Sequence, residues 1–261
     1  MNILDQIVLE KKNHLEYLSQ KINKKNNLKS SNSNSFLNAI ESNLSKNKNA
    51  LIAEFKRYSP SVKSFNKVRY LQDVIEQYHK SKCCCISILT DKNFGGSLND
   101  INVAKKISNK PIIRKDFIIN EAQVFETKEF GADAVLLIAK ILSKSEIRKL
   151  YKLANKIGLD VLIEIESTLE AKKIKDIDAK LIGINNRNLK TLEVSLNNTI
   201  SIFEVIKTHK GPIISESGIK TANDAKYIYE KTGIKNFLIG ESLLKSDNPG
   251  ELMRKITQIT Q

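Results

Sequence analysis

Lysines, glutamates and amides recur at the ends of short apolar runs, and their types and spacing suit proton transfer. "IIRKDFI" (112–118) carries Lys115 to the end of one such run, between isoleucines and Phe117. Glu54 and Lys56 close "ALIAEF", and Asn185 and Arg187 close "KLIGIN". Members of each pair stand two apart, so in an extended chain both leave one face. Glu164 and Glu166 end a third run, Ser215, Glu216 and Ser217 a fourth, and Gly240, Glu241 and Ser242 a fifth. A carboxylate near a lysine favours the ammonium, and such pairs do general acid–base work. The glycines of "SESGI" and "IGES" let backbone approach an anion closely, a fit for phosphate. Any one pair is as readily a solvated loop ion pair; the recurrence points to one pocket. Other chemistries lack residues. His14, His79 and His209 are read as lying in helical segments away from these ends. Cys83, Cys84 and Cys85 are consecutive, so they alternate faces and cannot converge on a metal. No metal site is expected.

Positioning these residues needs a scaffold that gathers strand ends. Apolar runs recur at 50–55, 83–89, 111–114, 133–139, 160–165, 180–185, 212–215 and 236–240. Between them lie helical patterns such as "SEIRKLYKLANKIG", read with Ser145 as its cap and Gly158 as its stop, and "TANDAKYIYEKTG". Strands that are apolar on both faces and alternate with helices indicate a parallel sheet. Eight such units predict an α/β fold, a (β/α)8 barrel with its active site at the C-terminal strand ends. An open doubly wound sheet is the competitor, and the lack of a G-x-G-x-x-G turn counts against it. Residues 1–48 read as an N-terminal helical extension: an amphipathic helix over 1–20, the polar "KINKKNNLKSSNSNSF", then a short helix in "SFLNAIESNL". Residues 49–261 form the barrel as one domain.

Composition narrows the setting. The chain has 261 residues and is 41% hydrophobic, enough for a sizeable core. No run approaches the roughly 18 apolar residues of a membrane span, and the first residues, "MNILDQIVLEKK", lack the apolar core of a signal peptide. A cytoplasmic protein is expected, with its thiols packed in the core. The net charge of +14 is spread along the chain, and aromatic residues make up only 6%. Without a basic-aromatic motif, nucleic acid is not the expected partner, although the charge helps attract an anionic substrate.

"IAEFKRYSPS", "ISILTDKNFGGSL", "IIRKDFI", "GADAVLLIA", "LIEIES", "IGINNRNLKTLEV", "ISESGI" and "IGESLLKSDNPG", in this order, resemble the indole-3-glycerol phosphate synthase family. The resemblance implies a substrate, 1-(2-carboxyphenylamino)-1-deoxyribulose 5-phosphate, which undergoes ring closure, decarboxylation and dehydration without a cofactor. It implies Lys115 as general acid and Glu164, rather than Glu166, as the carboxylate that stabilises positive charge and moves protons. Lys56, Ser59, Ser217 with Gly218, and Gly240-Glu241 match phosphate and anion contacts; Ser242 and Arg187 are included with them. Glu54, Asn185, Arg187 and Glu216 match the polar ring, and Phe94, Phe117 and Leu189 the wall that stacks on the aromatic ring. Two departures stand out. Val62-Lys63-Ser64 replaces a glycine usual after "SPS", and the loop "TDKNFGGS" is one residue short, which bears on Phe94. The division of proton transfers among Lys56, Lys115 and Glu164 stays open. A Schiff-base aldolase and a phosphate- or RNA-binding barrel are the rival readings. A monomer is expected, with a dimer the alternative.

Overall fold

The computed structural model describes residues 3–22, 35–58 and 70–260, with backbone alone for 14–22. Ser59, Val62, Lys63 and Ser64 lie outside the described residues. Eight strands form a closed parallel barrel: β1 (Ala50–Phe55), β2 (Cys85–Leu89), β3 (Ile112–Lys115), β4 (Ala134–Ile138), β5 (Asp160–Ile165), β6 (Leu181–Asn185), β7 (Ile213–Glu216) and β8 (Asn236–Ile239). Each pairs with its successor, and β1 closes on β8 through Ile52↔Leu238 and neighbours. The helices are α1 (Ile3–Ile22), α2 (Ser35–Ser45), α3 (Leu71–Lys80), α4 (Asn99–Ile107), α5 (Glu121–Glu129), α6 (Lys144–Lys156), α7 (Thr168–Ile174), α8 (Asn197–Ile206), α9 (Ala222–Thr232), α10 (Glu241–Lys245) and α11 (Pro249–Thr257). The expected (β/α)8 barrel is the fold.

The strands are apolar on both faces because both faces are buried. One set of side chains, including Ile86, Ile88, Ile163, Ile165, Ile182 and Ile184, packs outward under the helices. The alternate set, including Ile52, Cys85, Ile113, Leu136, Leu162, Leu181, Ile214 and Leu238, fills the barrel. The inward positions continue along each strand to Glu54, Lys115, Glu164, Asn185 and Glu216, so the period of two carries the core pattern directly into the polar one.

The two N-terminal helices take opposite ends of the barrel. Phe36, Leu37 and Ile40 of α2 seal the N-terminal end, where Asp160 Oδ2 accepts the amides of Phe36 (3.1 Å) and Leu37 (3.0 Å). Leu4 and Ile7 of α1 join the interior cluster from the C-terminal end.

Local expectations need three corrections. The cap of α6 is Ser143, not Ser145: its hydroxyl accepts from Glu146 N and the Glu146 side chain reciprocates, because only Ser143 has a glutamate three residues on. Gly158 does end that segment, with φ +76°. Only Cys85 of the three cysteines lies in β2; Cys83 and Cys84 precede it, though Cys83 and Cys85 are buried as expected. His209 lies beyond α8, in the turn before β7, where Ile206 O accepts its amide (2.8 Å). His79 is in α3 and His14 in α1, as read.

Candidate active site

At the C-terminal strand ends a cavity of about 610 Å³ opens, within the range of small-molecule sites. Its lining includes Glu54, Lys56, Lys115, Glu164, Asn185, Arg187 and Glu216, all seven residues read as catalytic. Ser217, Gly218, Gly240, Glu241 and Ser242 border it, as do Phe94, Phe117 and Leu189. A hollow of about 840 Å³ at the other end of the barrel holds none of these residues.

The floor is an interlocked charge cluster. Lys115 Nζ lies 2.6 Å from Glu164 Oε2 and 3.3 Å from Glu216 Oε2. Asn185 Nδ2 donates to Glu164 Oε1 (3.1 Å), and Lys56 Nζ to Glu54 Oε1 (2.6 Å). These carboxylates are almost fully buried, so their charges act in a low dielectric. Burial opposes the Lys115 ammonium, but Glu164, Glu216 and Glu54 outweigh it and raise its pKa. Burial likewise opposes ionisation of Glu164, yet Lys115 and Asn185 hold its carboxyl below the ordinary range. Glu216 goes the other way. Burial pushes it up, and Glu164 and Glu54 add like charge against the relief from Lys115, so it titrates at about 8. One ammonium, one carboxylate and one proton-holding carboxyl therefore meet at a single point.

Two inward glycines make this packing feasible. A Cβ on Gly183 would fall 2.0 Å from Glu216 Oε1, and one on Gly240 2.6 Å from Glu54 Oε1. Gly240, read as an approach for phosphate, also clears space for a buried carboxylate.

Around the rim the side chains divide their tasks. Ser217 (φ +66°) and Gly218 (φ +80°) are both left-handed, turning the chain sharply after β7. Asn186 holds this turn, donating to Ser215 Oγ (3.0 Å) and Ser217 O (3.1 Å) while accepting from Thr199. Arg187 Nη2 reaches Glu241 Oε2 at 3.4 Å, and Lys245 Nζ meets Glu241 Oε1 at 2.6 Å. The Glu241 side chain is thus occupied with cations, and the Ser242 hydroxyl donates to Ile219 O (2.7 Å). Phe94 and Phe117 stack with centroids 6.2 Å apart and planes at 28°; the short loop still brings Phe94 to the wall.

Several strand-end residues face away. Arg114 is buried toward α5, bonding Gln123 O, Thr127 and Asp116. Glu166 diverges from Glu164: its carboxylate holds Lys140 and accepts from Leu189 N (2.9 Å). Sequence reasoning passed over Asn186, Lys140, Lys220, Lys245 and the α1 residues Ile3, Leu4 and Ile7 that roof the cavity. For Asn186 a signal existed: between Asn185 and Arg187 it must leave the opposite face. Among the described residues no group of three His, Cys, Asp or Glu is arranged to hold a metal ion.

The family model of indole-3-glycerol phosphate synthase matches residues 4–256. The chain belongs to the indole-3-glycerol phosphate synthase family. The indole-3-glycerol phosphate synthase of Polynucleobacter asymbioticus is 33% identical over 265 residues, covering 98% of both chains. That of Caldanaerobacter subterraneus subsp. tengcongensis is 39% identical over 251 residues, covering 94% of each. Among solved structures, the tryptophan synthase subunit alpha of Legionella pneumophila superposes with a TM-score of 0.63 at 17% identity, over 87% of this chain and 98% of that one. The 3-hexulose-6-phosphate synthase of Salmonella typhimurium does so at 0.63 and 15%, over 81% and 98%. At such identities the likeness speaks for the barrel alone, while family membership rests on the sequence matches.

Proposed function

We propose that this chain converts 1-(2-carboxyphenylamino)-1-deoxyribulose 5-phosphate into indole-3-glycerol phosphate, CO2 and water, with Lys115 as general acid. The observation that carries the assignment is the Lys115 ammonium held 2.6 Å from Glu164 and 3.3 Å from Glu216 at the cavity floor. In ring closure the aromatic carbon bearing the carboxylate attacks the sugar ketone, and Lys115 gives the ketone oxygen a proton. The carboxylate then leaves as CO2, its bond electrons returning to the ring. Reprotonated Lys115 then gives the new hydroxyl the proton with which it leaves as water. The positive charge left on nitrogen is stabilised by Glu164, which accepts the proton whose departure completes the indole. Glu216, protonated over much of the neutral range, is placed to return a proton to Lys115.

Lys56, Arg187 and the Ser217–Gly218 turn form the anion corner proposed for the phosphate, joined by Gly240, Glu241 and Ser242 through backbone where their side chains are engaged. Ser59, outside the described residues, belongs to the same reading. Phe94, Phe117 and Leu189 take the aromatic ring. A Schiff-base aldolase needs a lysine whose ammonium is disfavoured, whereas the raised pKa of Lys115 runs the other way. Indole fluorescence appearing when wild-type protein meets the carboxyphenylamino sugar phosphate tests the function. Lys115→Met should lower kcat by ~10²–10⁴-fold, and wild-type protein without turnover sinks the proposal. A cytoplasmic monomer accompanies this reading. All three thiols are free, and among the described residues no helix is long and apolar enough to cross a membrane.

A further inference from the structure

The apolar roof and the aromatic wall of the cavity are joined through one buried ion cluster outside the reacting groups. Lys11 of α1 places Nζ 2.9 Å from Asp91 Oδ2 and 2.6 Å from Asp116 Oδ1, with the two acids 0% and 2% exposed. Each acid shapes a turn that carries an aromatic ring. Asp91 follows β2; its Oδ1 accepts from Asn93 N (2.8 Å), and its carbonyl accepts from Phe94 N (3.0 Å) and Gly96 N (2.9 Å). Asp116 follows β3, and its Oδ1, the oxygen facing Lys11, accepts from Phe117 N (2.8 Å). Phe94 and Phe117 are the stacked pair. Glu10, next on the helix, reaches Lys92 (3.0 Å) in the same turn as Phe94. Ile3, Leu4 and Ile7 of that helix face the cavity.

We propose that Lys11 is a positioning residue for substrate aryl recognition, bridging the two turns that present Phe94 and Phe117 and tying the α1 roof to them. This rests on the functional reading above. Without the ammonium, Asp91 loses the cation that ties it across the gap to Asp116, whose other oxygen stays paired with Arg114 and Thr90. Lys11 is the partner of Asp91 Oδ2, an oxygen with no other hydrogen-bond partner among the described residues. The turns then part, the rings lose register, and aryl binding weakens while the anion corner, built from β1, β6, β7 and β8, stays as it was.

The test uses the full chain and two competitive probes, N-(2-carboxyphenyl)glycine for the aryl subsite and inorganic phosphate for the anion corner. Lys11→Met should raise KM and the inhibition constant of the aryl probe about three- to tenfold, the worth of an aromatic contact. The phosphate constant should stay within about twofold, and Lys11→Arg should recover aryl binding. Asp91→Asn keeps the cap on Asn93 and sets a neutral amide where Lys11 meets a carboxylate, so the bridge between the two turns is cut at the Asp91 end. It must produce the same selective loss, and it decides the matter if Lys11→Met does not fold. Equal weakening of both probes, or no change in either, overturns the inference while wild-type turnover leaves the function standing. Wild-type protein without turnover fails the functional reading instead.

Discussion

Glu164 and Glu216 have the same side chain, face the same lysine and titrate in opposite directions: Lys115 lies closer to Glu164, which Asn185 also supports, whereas burial and the like charges of Glu164 and Glu54 push Glu216 up. Glu216 has its pKa raised from the ordinary 4.5 to about 8. Native protein therefore holds a proton that the unfolded chain has released between those values. Its contribution to stability is complete below 4.5 and is lost as the pH rises through about 8. Glu216→Gln should flatten that decline, seen by comparing denaturation midpoints of both proteins at about pH 5 and about pH 9. Subtracting one protein from the other cancels groups such as His209, whose pKa burial lowers. An identical slope in both would remove the proton from Glu216. Glu164→Gln keeps the shape and loses the charge, so kcat should drop at least ~10²-fold with little change in Tm. Glu166→Gln should leave kcat within about threefold and raise KM, since Glu166 anchors the amide of Leu189 in the wall. A larger kcat loss at Glu166 would overturn the assignment of Glu164.

Strand β6 shows how an element prepares the site. Its inward positions run Leu181, Gly183, Asn185: core filler, empty space, then an amide. Gly183 is the Cα partner of Glu164 and Asn185 of Glu216, so the gap lies beside both carboxylates. Gly183→Ala puts a methyl 2.0 Å from Glu216 Oε1 and 3.1 Å from its Cδ. The side chain must swing away from Lys115. A displacement of about 1 Å costs ~10²-fold in rate, so kcat should fall on that scale while the barrel still folds. Near-wild-type kcat in Gly183→Ala would show that the position of Glu216 is not critical.

Across the whole molecule, the barrel separates stability from chemistry along its axis. The C-terminal end gathers charges that oppose one another and are tolerated for function, whereas α2 closes the N-terminal end through Asp160 and apolar packing. Asp160→Ala leaves two amides of α2 without acceptors in a buried place. Lost caps and unpaired donors put the cost at about 2 kcal/mol, measurable by urea denaturation, with kcat unchanged within about twofold. A fall in kcat matching the loss of stability would mean that the two ends are coupled.

The sequence by itself determined the barrel and its inward ring. Continuous apolar runs such as "DAVLLIA" require burial on both faces, and the period of two fixes which neighbours share a face, as with Glu54 and Lys56 or Asn185 and Arg187. Local chemistry was legible too, as in the Gly158 stop. Where two signals lay two residues apart it was misread, and Ser143 displaced Ser145. For Glu166 the spacing left the choice with Glu164 open: it stands one residue past β5, as Lys56 stands past β1, and tertiary partners send its carboxylate to Lys140 and Leu189. Only the tertiary structure decided partners. Nothing in residues 1–20 states that Lys11 reaches Asp116, that α1 and α2 take opposite ends, or that the Ser242 hydroxyl is spent on Ile219. Those contacts join residues far apart in the chain, and they exist only once closure of eight strands sets the register between them.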